Sequence, residues 1–376
     1  MRNGRCGLKP LTIDRRDLKT NIGGEISMLD ESAISPRHRP AMGRFSVLAA
    51  LAAMEAHSHA QLDRAPLDVR RIGAVVGVAV WGADAVDDSY RDVFLEGKKR
   101  ANILTVPRAM PGAAAAQVSM TLGLKGPVFG VTSACSSSNH ALCAAIDQIR
   151  LGRADVMLAG GADTPIQYGI LKAWEAMRVL ARDACRPFSA DRDGLVLADG
   201  AGMVVIESLD HARARGAPIL AEVIGCGLSA DASDIVSPTV EGPIAAIRAC
   251  LEDARLAPEG VDYINAHGTA TRANDRIEVQ AIHSVFGEHA RKLSVSSTKS
   301  MHGHCLGASG AIELIACVNA IRHGIAPPTI GYTDPDPDCD LDVTPNKARE
   351  RSIDVAISNS FAFGGMNAVV ALRRCS

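Results

Sequence analysis

The chain has 376 residues, a net charge of −2, 47% hydrophobic residues and 3% aromatics. Such a length points to two domains or one large fused unit with a substantial core, and so even a charge balance gives no handle for nucleic acid. The 10 cysteines show no CxxC spacing, which predicts a reducing, cytoplasmic setting without disulfides or structural zinc. The longest apolar runs, Val47 to Met54 and Ile72 to Ala83, fall far short of the ~20 residues of a membrane span. The N-terminus has charge but no apolar signal core, so no membrane insertion is expected. Abundant Ala, Gly and Val suit helices packed closely on sheets in a layered α/β protein.

In chain order, residues 1 to 42 read as polar loop, with Pro10, Pro36 and Pro40 limiting helices. Helical apolar spacing (Phe45, Leu48, Ala49, Ala52) predicts a helix over 45–57. The β-prone run 72–80 is expected of a strand covered on both faces. A small-residue helix over 113–122 and a strand over 128–132 lead into Val131-Thr-Ser-Ala-Cys-Ser-Ser-Ser-Asn-His140. This stretch reads as a strand end, a tight turn carrying Cys135 and a helix with Ala141, Ala145 and Ile149 on one face. Residues Thr132 to Asn139 supply capping groups. A thiol at a helix N-terminus sits in a field that favours the thiolate, and free N–H groups there can hold an oxyanion. Further strands are expected over 154–161 and 203–207, with the turn-rich Asp191 to Gly202 loop between them. The second half repeats the rhythm: strand 221–227, helix 244–254, strand 261–266, helix 276–285, strand 293–297, helix 307–321, and strands 353–358 and 368–372. Such alternation predicts mostly parallel sheets under helical layers, with reactive side chains at strand C-termini.

Three later motifs carry chemistry. In Asn265-Ala-His-Gly-Thr-Ala-Thr271, a His at a strand end can project into a cleft, with threonines as donors beside it. Ser297-Thr-Lys-Ser-Met-His-Gly-His-Cys-Leu-Gly-Ala-Ser-Gly310 ends in a Gly-rich helix start but lacks the P-loop pattern. His302 and His304 have no carboxylate or Cys at metal-ligand spacing, so no metal is expected. Phe361-Ala-Phe-Gly-Gly-Met-Asn367 allows close backbone approach at its glycines. Taken singly, each motif has a plain structural explanation: a core cysteine, a loop histidine, an ordinary turn.

Together they resemble the elongating β-ketoacyl–acyl carrier protein synthases of the thiolase superfamily. The resemblance runs over nearly the whole chain. It adds Ala159-Gly-Gly-Ala162, Arg186-Pro-Phe-Ser-Ala-Asp-Arg-Asp-Gly194, Pro327-Pro-Thr-Ile330 and Asp338-Cys-Asp-Leu-Asp342 to the motifs above. It implies a five-layered αβαβα fold of two pseudo-duplicated halves, residues 1–208 with the nucleophile and 209–376 with the His, His and Lys motifs. It implies decarboxylative condensation of a malonyl thioester with an acyl chain on Cys135, in fatty acid, polyketide or polyene synthesis. In that scheme Cys135 and Phe363 N–H groups form the oxyanion hole, and Phe363 gates the acyl chain. His267 and His304 stabilise the enolate, and Lys299 supports them with Asp275 and Glu313 as partners. Thr269 and Thr271 bind pantetheine, and Met110 and Trp174 line the acyl pocket. No bound cofactor is implied, because phosphopantetheine arrives on the acyl carrier protein; a homodimer is expected. The alternatives are a thiolase-like acyltransferase, which would use a second cysteine as base, and an inactive subunit that sets chain length, which would lack Cys135. The chain departs from the family at Ala362, Met366 and His302, where Gly, Thr and Thr are usual. It also begins about thirty residues late, the length of a strand, a turn and part of a helix, so an unpaired neighbour strand is expected.

Overall fold

The computed structural model describes residues 1–64 and 67–375. Its frame is two mixed sheets. The first holds β1 (Ile72–Gly77), β2 (Val128–Val131), β3 (Val156–Asp163) and β4 (Gly200–Glu207), in the order β2-β1-β3-β4. β1 runs parallel to β2 and β3, and β4 pairs antiparallel with β3. The second holds β5 (Glu222–Ala230), β6 (Tyr263–Asn265), β7 (Ser294–Ser296), β8 (Val355–Phe361) and β9 (Met366–Arg373), in the order β5-β9-β8-β6-β7. There β6 is parallel to β7 and β8, while β9 is antiparallel to β8 and β5.

The period-2 alternation of each strand dictates the layering. In the first sheet Ala74, Val76, Val156 and Leu158 face one way, packing with Phe45, Ala49 and Ala53 of α1 (Arg44–His59) and Ala113 to Val118 of α2 (Ala113–Leu122). Val75, Met157 and Ala159 face the other way. They meet Ala141, Leu142 and Ala145 of α3 (Ser137–Arg150), while Tyr263, Ala356 and Val370 close the same cluster from the second sheet. Leu314 and Cys317 of α7 (Ser309–His323) lie in that central layer. The outer face of the second sheet, with Ile264, Ile357, Val369 and Ala371, is covered by Ile247 and Leu251 of α5 (Glu241–Asp253) and Val279 and Ile282 of α6 (Arg272–Phe286). Five layers result, as expected. Each fully buried Val, Leu or Ile in these sets contributes roughly 1.5–3 kcal/mol. A further helix, α4 (Tyr168–Ala176), follows β3. Small residues let the central layer come close: a Cβ at Gly161 would strike Ser138 and the Gly307 carbonyl.

Several boundaries differ from the expectation. Residues 1–42 are not all loop, since Lys9–Pro10 pairs antiparallel with Ile22–Gly23. β4 begins at Gly200, because the Gly-Ala-Gly stretch keeps ladder register with Asp163 of β3 despite its poor strand propensity. Neither this ribbon nor α4 carried a local signal. Among the described residues β4 pairs on one side alone, whereas β9 in the second sheet is flanked by both β8 and β5. A groove of about 710 Å³ runs beside β4, bordered by Ala56, Ile149, Ile206, Leu220 and Leu314. No helix among the described residues is long and apolar enough to cross a membrane.

Candidate active site

Four segments from distant parts of the chain meet between the sheets. The first follows β2. Ala134 adopts φ 49°, in the left-handed region that costs a non-glycine residue energy. This bend opens a single 3-10 turn, Ala134–Ser136, and α3 starts one residue later. Cys135 therefore sits in the turn that feeds α3, 6% exposed. The serine side chains do not cap α3 as expected. Ser136 Oγ donates to Ser133 O (2.8 Å) and Ser137 Oγ to Ala134 O (2.6 Å), so their hydroxyls brace the turn instead. Asn139 donates to the Ser358 and Ala368 carbonyls, each at 3.2 Å, tying the turn to the second sheet.

His267 follows β6 and His304 follows a short helical turn, Lys299–His302. Their rings meet edge to face, with centroids 5.5 Å apart. The Cys135 sulfur and one nitrogen of each ring all lie within 4.8 Å of one another. Lys299 is wholly buried, and its three donors are placed: on His267 O (2.6 Å), on His267 Nδ1 (3.4 Å) and on Glu313 Oε1. Ser309 Oγ lies 2.9 Å from His304 Nδ1. With that hydroxyl as donor the His304 proton is on Nε2, which is buried and has no partner among the described residues. Burial first, then the Lys299 charge, holds both imidazoles well below the usual histidine range. They are neutral, each able to present an N–H to an oxyanion.

The sulfur departs from the sequence expectation. Burial pushes the Cys135 thiol up to about 12, with Lys299 pulling the other way. Desolvation favours the neutral thiol and so opposes the field at the head of α3. Sulfur and two nitrogens could also hold a thiophilic cation. A buried ammonium donating to one of the same rings opposes that use by like-charge repulsion.

Of the remaining expected residues, Glu313 pairs with Lys299 but Asp275 does not. Asp275 accepts Phe188 N–H (2.9 Å) and faces the Arg192 guanidinium at 3.4 Å, so it braces the 186–192 loop. The carboxylate beneath the histidine is Glu278, one turn further along α6. It accepts N–H groups of His267 and Gly268, both at 2.8 Å, and the Asn359 amide at 3.1 Å. Its three-residue offset from Asp275 on a predicted helix was the available signal. Asp163 was also missed. Its carboxyl, pushed up to about 7 by burial, gathers the N–H groups of Ala79, Val80 and Gly307 and so ties two loops to the end of β3. Thr269 and Thr271 hydrogen-bond each other at 2.9 Å. Trp174 packs on the apolar cluster around Cys135 and stacks on Phe363, with centroids 5.6 Å apart. Met110 is 44% exposed and lies outside that cluster. His302 turns aside, with Nε2 3.1 Å from Thr298 Oγ1.

Family models for the β-ketoacyl synthase N-terminal domain and C-terminal domain match residues 1–212 and 220–333. The chain belongs to the β-ketoacyl synthase family. Nodulation protein E of Rhizobium sp. (strain N33) is 60% identical over 375 residues, covering 100% of this chain and 93% of that protein. The 3-oxoacyl-[acyl-carrier-protein] synthase 2 of Staphylococcus aureus (strain COL) is 40% identical, covering 98% and 91% of the two chains. The solved structure of the ishigamide ketosynthase/chain length factor superposes with a TM-score of 0.95 at 35% identity, covering 100% and 93%. The fold is thus that of the thiolase-like ketosynthases, and the chain is a condensing enzyme of acyltransferase type. No second cysteine joins Cys135 beside the rings among the described residues.

Proposed function

We propose that this β-ketoacyl synthase extends carrier-bound acyl chains as a 3-oxoacyl–carrier protein synthase. The observation that carries the reading is the convergence of one buried thiol with two neutral imidazoles. In the first half-reaction the Cys135 sulfur attacks an acyl thioester. The oxyanion is held by the N–H groups of Cys135 and Phe363, the thioester C–S bond breaks, and the Cys135 thiol proton goes to the departing pantetheine sulfur, which leaves as the thiol. In the second, a malonyl thioester binds with its carbonyl oxygen between His267 and His304. Carbon dioxide leaves, and its bonding pair becomes an enolate whose oxygen receives both N–H groups. The enolate carbon then attacks the acyl-Cys135 carbonyl, the C–S bond breaks, and a 3-oxoacyl thioester leaves with Cys135 free. One well-placed oxyanion donor is worth ~3 kcal/mol in such steps. Lys299 fixes the His267 tautomer through Nδ1, and Glu313 balances its charge.

The partners on this reading are an acyl carrier protein and its acyl and malonyl thioesters. The phosphopantetheine arm rides on the carrier and passes Thr269 and Thr271, so no free cofactor is used. The two halves meet near residue 208, and the setting is cytoplasmic. A homodimer is supported by β2, which among the described residues is a sheet edge with Phe129 37% exposed, and which a second copy would continue. The reading is tested by intact mass after incubation with an acyl-carrier thioester. The wild-type chain is expected to gain one acyl group and the Cys135→Ala variant none; acylation of the variant overturns the assignment.

A further inference from the structure

Cys143 and Cys226 come from opposite halves of the chain and take no part in the site described above. Cys143 lies in the middle of α3, buried in the apolar layer between the sheets. Cys226 lies on β5, the outer strand of the second sheet, and packs against that same layer while keeping part of its surface in solvent. Two anchors fix how α3 crosses β9 and β5. Near its start Asn139 donates to the Ala368 carbonyl at 3.2 Å. At its end Arg150 pairs with Asp253 at 3.0 Å, and Asp253 Oδ2 accepts the Cys226 N–H at 2.9 Å. Cys143 stands one turn beyond Asn139 on the same helix face. Cys226 is the ladder partner of Val370, two residues along β9 from Ala368. The two thiols therefore meet, with a side-chain hydrogen bond between them. That contact first, and then burial, holds the Cys143 thiol well above the usual cysteine range, so Cys143 is the S–H donor of the pair. Cys250 does not compete for Cys226. A Cβ at Gly225 or Gly227 would strike Cys250, so Cys250 packs on the face of β5 opposite to Cys226.

We propose that Cys143 and Cys226 are a redox modification site, closing on exposure to a hydroperoxide into a reversible disulfide that staples α3, the helix headed by Cys135, to the second sheet. With hydrogen peroxide, the accessible Cys226 sulfur attacks one peroxide oxygen. The O–O bond breaks, the thiol proton leaves with the departing hydroxide as water, and Cys226 becomes a sulfenic acid. The Cys143 sulfur then attacks the Cys226 sulfur. The S–O bond breaks, and the leaving hydroxide takes the Cys143 proton as a second water. The two thiols lose two electrons and two protons, and the peroxide is reduced. In a reducing compartment such a bond is transient, the behaviour of a redox sensor. The proposal stands whether or not Cys135 accepts an acyl chain. The bond joins two segments far apart in the chain, so it also restricts the unfolded state.

The test treats the full chain with graded hydrogen peroxide, blocks the remaining thiols with N-ethylmaleimide, and reads intact mass, peptide maps and thermal unfolding. The parent chain is expected to lose the mass of two hydrogens, to yield one linked peptide pair joining Cys143 to Cys226, and to unfold at a higher temperature. Dithiothreitol is expected to reverse all three changes. Cys143→Ala and Cys226→Ala are each expected to abolish the link and the upward shift. Cys226→Ala, which changes a partly exposed strand position, is expected to unfold at the temperature of the reduced parent, so that its loss of the link is not a loss of fold. Cys226 found as a sulfinic acid while Cys143 remains free, either sulfur linked instead to another cysteine, or both thiols still reduced when Cys6, the exposed cysteine, is fully oxidised would each overturn the proposal.

Discussion

The back wall and the mouth of the site are built on opposite terms. Lys299, Glu313, His267, His304 and Cys135 range from 0% to 6% exposed, and each histidine and the lysine has a fixed hydrogen-bond partner. Phe363, Trp174 and Thr271 are half-buried and lie on glycine-flanked turns or helix ends. The wall holds chemistry in one geometry, where neutral imidazoles pay no reorganisation cost as charge develops. The mouth holds little polar structure and can adapt to different chains. Substitutions at the wall should therefore be severe and indifferent to acyl length, and those at the mouth mild and length-dependent.

The largest effect that would sharpen this contrast is expected at Lys299. Lys299→Met leaves Glu313 buried without its cation, which typically destabilises by about 3–5 kcal/mol. Thermal unfolding should fall accordingly, and pairing it with Glu313→Gln should recover part of the loss. A Lys299→Met protein as stable as the parent would show that the wall is not held by this pair.

A second test concerns which force governs the sulfur. With the thiol raised to about 12 by burial, the thiolate fraction rises about tenfold per pH unit from pH 7 to pH 10. Alkylation of Cys135 by iodoacetamide should follow that slope without a plateau. A plateau below pH 9 would mean that the helix field and Lys299 prevail over desolvation. The smallest effect is expected at the mouth: Thr271→Val removes one hydroxyl from the Thr269–Thr271 pair. It should raise KM for carrier thioesters roughly 2- to 10-fold with kcat unchanged, the scale of one hydrogen bond. A fall in kcat would place Thr271 on the wall.

Sequence legibility followed the same division. Cys135, His267, Lys299 and His304 stand in Gly-punctuated motifs, and their meeting, with Glu313 as the partner of Lys299, was what the family resemblance implied. The strands and helices of the layers were readable because both sheets are covered, and continuous apolar runs result. What escaped depended on long-range geometry. Asp275 and Glu278 are three residues apart on one helix, and only folding decides that the first meets Arg192 and the second the His267 backbone. Asp163 carries no motif of its own, since its partners are backbone N–H groups from other loops. Helix capping failed because the serine hydroxyls turned inward to carbonyls, and the same turn buries the thiol, which pushes it up against the helix field. Met110 was placed by offset alone, and it stands 44% exposed, outside the apolar cluster around Cys135.

The central claim is that two neutral imidazoles run the decarboxylation while the thiol alone carries the acyl chain. It is tested most directly by His304→Ala, supplied with acyl- and malonyl-carrier thioesters and followed by mass for both acyl-Cys135 and the two-carbon-extended product. The variant is expected to acylate Cys135 yet lose ~10²- to 10³-fold in product formation, the scale of one oxyanion donor. Extended product formed at the parent rate, with His304 gone, would contradict the account.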